Sequence, residues 1–378
     1  MILVVGVALL GWLAWRATTP GSGPEKTAVA GAEKRPAGKA IARSTPSLPI
    51  ANTSRPGFAA AAALLNGAWA QLPTAPPEER AAVLARLGEK LDALQTEDAF
   101  AALLAELASG RDAKTELPFA PGEEGLASAS SWRVFLLDRL GRLDPRLATD
   151  YARQSIFPSS RSAEEWAVSM RSVWHSYPPR AVDQARAEVT SLLGQMLARP
   201  EWRAGQAEGL LEALDFVPHT TDPTVHLEAV GAWINESRNP ATATAAQIAL
   251  ERTMGPHGDV ILTALAASPA APSLRAPAMA RADLRRPAQA QAVADFLRGQ
   301  PAGSEEAAIF FRAFPLHRFS VAPGLAGLPR VPDAAQLKAA DEAALPAVAD
   351  WSADPALANH RADLTALLEK LRELTGQK

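Results

Sequence analysis

The chain has 378 residues, of which 48% are hydrophobic and 21% are charged, and its formal net charge is −3. This composition supports a large buried core and excludes disorder throughout. The chain has no excess of basic over acidic residues. This argues against nucleic acid as a partner, because neutralising phosphates takes an excess of Lys and Arg. The absence of cysteine excludes disulfides, thiolate metal sites and cysteine nucleophiles.

The N-terminal stretch predicts a membrane anchor in residues 1–17. Its first fifteen residues carry no charged side chain and would form a helix of roughly 22 Å, which the next few residues extend toward the ~30 Å hydrocarbon core. Trp12 and Trp15 suit the membrane interface. A cleaved signal segment is the alternative, but the small-x-small site at Ala28–Ala30 lies well behind the apolar run.

Residues 18–56 predict a disordered tether, since Pro, Gly, Ser, Thr, Ala and Lys dominate and large apolar side chains are rare. A flexible chain of about 40 residues reaches roughly 35 Å. The basic residues after the anchor would favour a cytoplasmic body under the positive-inside rule. A single anchor followed by a long tether favours an extracytoplasmic, periplasmic body, and we adopt that orientation.

Residues 57–378 predict an all-helical body, because apolar residues recur at helical spacing and no period-two run indicates a strand. The spacing predicts a series of segments of roughly 10 to 20 residues, joined by short breaks, which fold as antiparallel helical hairpins. The predicted segments are Phe58–Leu72, Pro76–Gln95, Thr96–Gly110, Leu126–Leu140, Asp144–Ser155, Ser162–Trp174, Pro179–Ala198, Pro200–Phe216, Pro223–Glu236, Pro240–Met254, Gly258–Ala267, Pro287–Arg298, Ser304–Phe314, Asp333–Ala349 and Asp354–Thr375.

An Asp-Pro dipeptide opens three of these segments, at Asp144, Asp222 and Asp354. Asp is a preferred N-cap and Pro is preferred at the first helical position, so each copy predicts a helix start. The copies lie 78 and 132 residues apart, which is two units of 39 and three of 44. With this period and capping pattern the body resembles a degenerate HEAT-like α-solenoid, whose two-helix repeats run at ≈ 40–47 residues; an irregular helical bundle is the alternative.

Acidic pairs occur at Glu78-Glu79, Glu123-Glu124, Glu164-Glu165 and Glu305-Glu306. Each follows Pro, Ser or Gly at a predicted helix start, where negative charge complements the helix dipole, and Ser162 with Glu165 fits a capping box. We therefore interpret the pairs as structural and not as glycosidase carboxylates.

Histidines offer two further candidates. A metal site at His219, Asp222 and His226 lacks the spacing of a helical ligand pair, and we predict no metal or cofactor. "MGPHGD" at Met254–Asp259 predicts a tight helix–helix turn that presents His257, and no triad, P-loop or dinucleotide motif accompanies it.

Seven tryptophans of the body lie on predicted helices or at their edges, and we interpret them mainly as core residues. These are Trp69, Trp132, Trp166, Trp174, Trp202, Trp233 and Trp351.

Residues 315–332 predict an irregular segment rich in Pro and Gly. A loop of this length is uncommon in a compact helical domain unless it is functional or packed against the body. It is interpreted either as a hydrophobic strap or as a binding loop. The predicted partner-binding residues are Phe310, Phe311, Phe314, His317, Arg318 and Phe319.

Together these features predict a membrane-anchored helical scaffold, or adaptor, that binds a protein partner in a cell-envelope assembly. Stacked helices offer extended surfaces, and the anchor supplies a high local concentration. The alternative is a hydrolase on a helical scaffold that uses acidic residues with His257 or His317. We favour the non-enzymatic role and leave a small-molecule ligand open.

Overall fold

The computed structural model describes residues 55–122, 125–199, 209–236, 240–267, 272–316, 324–326 and 333–377. Over these residues the protein is mostly helical with only two short strands, which confirms the predicted all-α class. The predicted anchor at residues 1–17 and nearly all of the predicted tether at 18–56 lie outside them. Pro56, assigned to the tether, is the first residue of the first described helix.

The helices are given in chain order. The first group is α1 (Pro56–Gln71), α2 (Pro77–Asp92), α3 (Thr96–Ala108), α4 (Trp132–Leu143), α5 (Pro145–Tyr151), α6 (Ala163–Ser176), α7 (Val182–Leu197) and α8 (Leu210–Leu214). The second group is α9 (Leu227–Glu236), α10 (Pro240–Ala267), α11 (Pro272–Met279), α12 (Pro287–Arg298), α13 (Glu305–Ala313), α14 (Ala334–Ala353) and α15 (Arg361–Thr375). Short 3₁₀ turns cover Pro179–Ala181, Val217–His219, Pro223–His226 and Pro355–His360.

The three Asp-Pro sites are helix starts, as predicted. The Asp144 carboxylate accepts hydrogen bonds from the backbone N–H groups of Arg146 and Leu147 and caps α5. Asp222 and Asp354 accept from the second residue after them in the same way, and each opens a 3₁₀ turn that leads into an α-helix. In all three the carboxylate satisfies an N–H group that has no partner inside the helix.

A short antiparallel hairpin precedes α4, where the sequence pattern predicted helix over Leu126–Leu140. Strand β1 (Ala120–Pro121) pairs with β2 (Leu126–Ser128). The helix begins only at Trp132, because the Ser131 hydroxyl caps it by accepting from the N–H of Val134. The spacing of apolar residues alone does not distinguish the three residues of β2 from the helix that follows them in the sequence.

The predicted turn at Met254–Asp259 is wrong, because α10 runs unbroken through it for 28 residues with Pro256 inside. Pro256 and Gly255 face solvent, while Met254 and Ile261 are buried. A proline costs a helix one hydrogen bond and adds a steric clash. Packing of α10 against α8, α9, α11 and α12 outweighs that cost, which local sequence could not indicate.

The buried side chains form two hydrophobic clusters. The first, which we call the N-terminal core, gathers residues between Ala61 and Ala249 and also Leu325. The second, the C-terminal core, gathers residues between Leu250 and Leu371. Helix α10 contributes to both cores, so the body is continuous through this helix.

Helices pack mainly on their near neighbours in chain order. Helix α3 packs on α1 and α4, α6 packs on α4, α5, α7 and α8, and α10 packs on α8, α9, α11 and α12. In the last part α13 packs on α11, and α15 on α13 and α14. Contacts between a helix and the second helix after it therefore recur along the described body.

Candidate functional site

A cleft of about 380 Å³ opens between the end of α5 and one face of α7. It starts where α5 continues as a π-helical turn over Ala152–Ile156, with the N–H of Phe157 donating to the carbonyl of Ala152 at 3.0 Å. Such turns are rare in proteins and often occur at functional sites. This turn places Arg153 and Phe157 on the cleft wall.

The opposite wall comes from α7. Glu188, Ser191 and Gln195 lie three and four residues apart, so they share one helix face, with Leu192 beside them. The Gln195 amide donates to the Ser191 hydroxyl at 3.4 Å. Both residues are exposed, whereas Leu192 is buried. The α7 wall is therefore polar at its rim and apolar at its base.

Arg153 and Glu188 close one end of the cleft with a two-pronged ion pair. The Arg153 Nε–H donates to Glu188 Oε1 and its Nη2–H to Oε2, both at 2.7 Å. The Tyr177 hydroxyl donates to the same Oε2 at 2.7 Å. Paired donors of this kind fix the orientation of both groups.

The pKa values around this pair shift so that Arg153 and Glu188 are charged and Tyr177 is neutral, which are the protonation states that make these bonds. Hydrogen bonding to Glu188 raises the pKa of Arg153. Burial alone would raise the pKa of Glu188, but the bonds from Arg153 and Tyr177 outweigh burial and lower it. The bond to Glu188, with some help from burial, raises the pKa of Tyr177. None of the three is poised to exchange a proton near neutral pH, so the arrangement suits recognition better than acid–base chemistry.

The cleft base is rigid. Phe157 is buried and meets Trp166 edge to face, with ring centroids 4.8 Å apart. Arg199 lies over the Trp166 ring, with its guanidinium carbon 4.6 Å from the ring centroid. It also donates to the carbonyls of Phe157 and Ser160, each at 2.9 Å. A fixed base lowers the entropy cost of ordering this surface when a ligand binds.

Of the six predicted partner-binding residues, the three that the structure describes do not form an exposed surface. Phe310 and Phe314 have 0% of their surface exposed and belong to the C-terminal core. Phe311 is partly buried and packs edge to face on Phe310. The prediction needs correction for Phe310 and Phe314, because rings that fill a core have no surface left for a partner. His317, Arg318 and Phe319 lie outside the described residues.

Three of the described histidines make structural contacts. His219 stacks on Trp174, with ring centroids 4.6 Å apart, and burial, helped by Arg186 and His257, lowers its pKa to about 4. Burial also lowers the pKa of His226. His257 Nε2 lies 2.7 Å from the carbonyl oxygen of Pro218 and ties α10 to the 3₁₀ turn there. Among the described residues no group of three His, Asp or Glu side chains is arranged to hold a metal ion.

The acidic pairs in the described body have structural contacts. Glu165 does not complete the predicted capping box: its N–H donates to the Ser162 hydroxyl, but its carboxylate accepts from Arg133 at 2.8 Å. Glu306 accepts from Arg275 and from Gln300. Glu78 and Glu79 occupy the first turn of α2. Glu123 and Glu124 lie outside the described residues.

The tryptophans divide between full and partial burial. Trp132, Trp166 and Trp233 are completely buried and Trp351 is buried, whereas Trp69 and Trp174 pack against the N-terminal core while partly exposed. Trp202 lies outside the described residues.

Sequence reasoning did not find the cleft. Arg153, Tyr177 and Glu188 are scattered over 35 residues without a motif, and the stretch Asp144–Ser155 has an ordinary helical pattern that does not indicate a π turn. The one usable signal was the polar strip Glu188, Ser191 and Gln195 on α7, which by itself is typical of a solvated helix face.

Comparison of the chain with protein-family models, with curated proteins and with solved structures finds no match. Among the described helices, none combines the length and apolar character needed to cross a membrane.

Proposed function

We propose that this protein is a membrane-anchored helical scaffold that binds a protein partner in a cell-envelope assembly. The observation that carries the proposal is the contact between a helix and the second helix after it, which recurs along the described body, as for α1 with α3, α4 with α6 and α10 with α12. Nearest-neighbour packing is the defining feature of solenoids, which present continuous surfaces to partners. It supports a HEAT-like stack over an irregular bundle.

Charged pairs between neighbouring helices support the same architecture. Arg133 and Asp138 of α4 pair with Glu165 and Arg171 of α6, at 2.8 and 2.6 Å. Later in the chain Arg298 of α12 pairs with Asp354 before α15, at 2.9 Å, in a more exposed position. The two pairs between α4 and α6 favour one packing register of these helices, since a buried ion pair is costly to misalign.

The cleft is the partner surface that the geometry favours. Arg and Tyr are enriched among the residues that dominate binding energy at interfaces, especially over a well-packed apolar base. Arg153 lines the cleft together with Phe157 and Leu192, and its Nη2–H donates to the Tyr177 hydroxyl at 3.4 Å. The polar rim of Ser191 and Gln195 supplies donors and acceptors for a partner backbone.

The anchor and the tether complete the proposal. Residues 1–17 would hold the chain in the membrane, and residues 18–56 would let the body reach a partner tens of ångströms away. Tethering raises the effective concentration of a binding site without adding any contact. The body would then work outside the cytoplasm, facing other envelope proteins.

The test is crosslinked affinity capture from gently solubilised native membranes. Four forms are compared: the wild type, a form lacking residues 1–56, Gln195→Trp in the cleft, and Gln184→Trp, an exposed residue of the same helix that lies eleven residues before Gln195 and does not line the cleft. We expect one stoichiometric partner with the wild type, the Gln184→Trp variant and the shortened form, and its loss with Gln195→Trp. Equal capture by both Trp variants would refute the cleft as the partner surface, and no partner with any form would refute the scaffold role.

A further inference from the structure

A short segment that lies between α13 and α14 in the sequence packs against the N-terminal core. Leu325 has 6% of its surface exposed and is the one described residue after Ala249 that belongs to the N-terminal core. Its backbone N–H donates to Asp215 Oδ2 at 3.2 Å, across 110 residues of sequence. Ala326 also packs against the N-terminal core. We call residues 324–326 the strap.

The group that accepts this hydrogen bond, the Asp215 carboxylate, is a buried charge. Asp215 is 5% exposed and caps the end of α8, and its carboxylate pairs with Arg252 of α10. Glu212 is a second carboxyl group near this arginine, and burial raises its pKa. A buried carboxylate needs hydrogen-bond donors as well as a counter-charge. The strap supplies one such donor from its backbone.

Leu325 and Ala326 form a turn, and their pairing with the body resembles the way a protein holds a short peptide segment. One apolar side chain is buried, and the backbone N–H of the same residue is bound by a fixed acceptor. The contact is also exceptional in this fold, where packing otherwise links near neighbours in chain order. Helix α13 belongs to the C-terminal core, and this contact joins the segment that follows α13 to the N-terminal core.

We propose that the strap is a releasable latch: Leu325 occupies a docking site for a leucine-containing peptide turn, with Asp215 as the backbone acceptor. Occupied by the chain's own strap, the site is closed and the two cores are tied together. A leucine-containing peptide that adopts a turn is the chemical class that would replace it. The latch does not depend on the scaffold role proposed above.

The full chain has no cysteine, so a single introduced thiol reports opening at one position. Leu325→Cys reports release of the strap, and Ala249→Cys, at a fully buried position of α10, reports opening of the N-terminal core. Each variant is reacted with a thiol reagent under native conditions. Segments that open locally exchange faster than those exposed only by global unfolding. We expect the thiol at position 325 to react about 100-fold faster than the thiol at 249.

Two additions separate a latch from general loosening. Asp215→Asn, added to each cysteine variant, is expected to speed labelling at position 325 at least about tenfold more than at position 249, because the strap loses a charged acceptor. A free peptide with the sequence of residues 321–329 is expected to speed labelling at 325 as it occupies the site, and a peptide with Asp in place of its leucine at 325 is not.

Equal labelling rates at positions 325 and 249 would overturn the latch, since the strap would then open only when the core does. An equal effect of Asp215→Asn at both positions would overturn the role of Asp215. If the wild-type peptide did no more than its Asp-containing counterpart, the site would not be a peptide-docking site.

Discussion

At the scale of single residues, the most consequential contacts are buried charges whose partners lie on another helix. Asp138 of α4 is 2% exposed, and its Oδ1 accepts from Arg171 of α6 at 2.6 Å and from the N–H of Leu126 at 3.0 Å. One carboxylate oxygen thus ties the β-hairpin, α4 and α6 together. The sequence offers no sign of this, because Asp138 has the appearance of an ordinary polar position on a helix.

Replacing this carboxylate should be costly. Asp138→Asn leaves the Arg171 guanidinium buried without its counter-charge, and breaking a buried pair in this way costs about 3 kcal/mol or more. The control is Asp183→Asn, whose carboxylate is 93% exposed and 3.9 Å from Arg186; it should change the free energy of unfolding by less than about 0.5 kcal/mol. Both are measured by denaturant unfolding, and similar losses for the two variants would contradict the assignment.

At the scale of elements, α10 stays helical through residues that locally disfavour a helix, because neighbouring helices pack against it. Its two central glycines differ in surroundings: a Cβ on Gly255 would meet no atom within 4 Å, whereas one on Gly258 would lie 2.7 Å from the amide nitrogen of Gln289. Gln289 is 3% exposed and is bound to Asp259 and to the N–H of Asp283, both at 2.8 Å. It therefore has little freedom to move aside.

The two glycines should respond differently to the same substitution. Gly255→Ala should change the free energy of unfolding by less than about 1 kcal/mol, because the gain in helix propensity is offset by contact between the added Cβ and the ring of Pro256. Gly258→Ala should destabilise the protein, since the added methyl group displaces Gln289 from its hydrogen bonds. Thermal melting of both variants checks this, and a stabilising Gly258→Ala would show that α10 and α12 pack less closely than described.

The 3₁₀ turn at Val217–His219 should make the fold sensitive to acid. His219 has a pKa of about 4 in the folded protein and an ordinary value near 6.5 in the unfolded chain. As the pH falls from about 6.5 to 4, the unfolded chain binds the proton first, so the free energy of unfolding decreases; above that range the contribution is constant.

His219→Phe keeps the ring against Trp174 but does not titrate. Between pH 7 and pH 4.5 the wild type should lose on the order of 2 kcal/mol more stability than this variant. The measurement is denaturant unfolding at both pH values. If the two proteins lost stability in parallel, His219 would not carry the acid sensitivity.

The same scale shows what sequence can predict. The Asp-Pro sites fix helix starts through contacts within three residues, so Asp144, Asp222 and Asp354 were predicted correctly. The hairpin at Leu126–Ser128 and the path of α10 through Pro256 depend on packing against distant helices, and the prediction failed at both. Phe310 and Phe314 were taken for a binding surface because an aromatic cluster beside an irregular segment has the same pattern whether it faces a core or a partner.

At the scale of the whole molecule, the described body is a succession of neighbouring helices with two cores that meet in α10. The spacing of apolar residues predicted the helical class of the body, because that spacing is a property of each helix by itself. The cleft and the strap could not be predicted, since each joins residues that the fold alone brings together: Arg153 with Glu188, and Asp215 with Leu325.

Site-specific photo-crosslinking can show whether the cleft between α5 and α7 binds a protein partner. A photoreactive side chain is placed at Gln195 in the cleft or at Gln184 outside it, in the full-length chain in its own cells. We expect a single discrete adduct from position 195 and none from position 184. Adducts of equal yield from both positions, or none from position 195, would contradict this expectation.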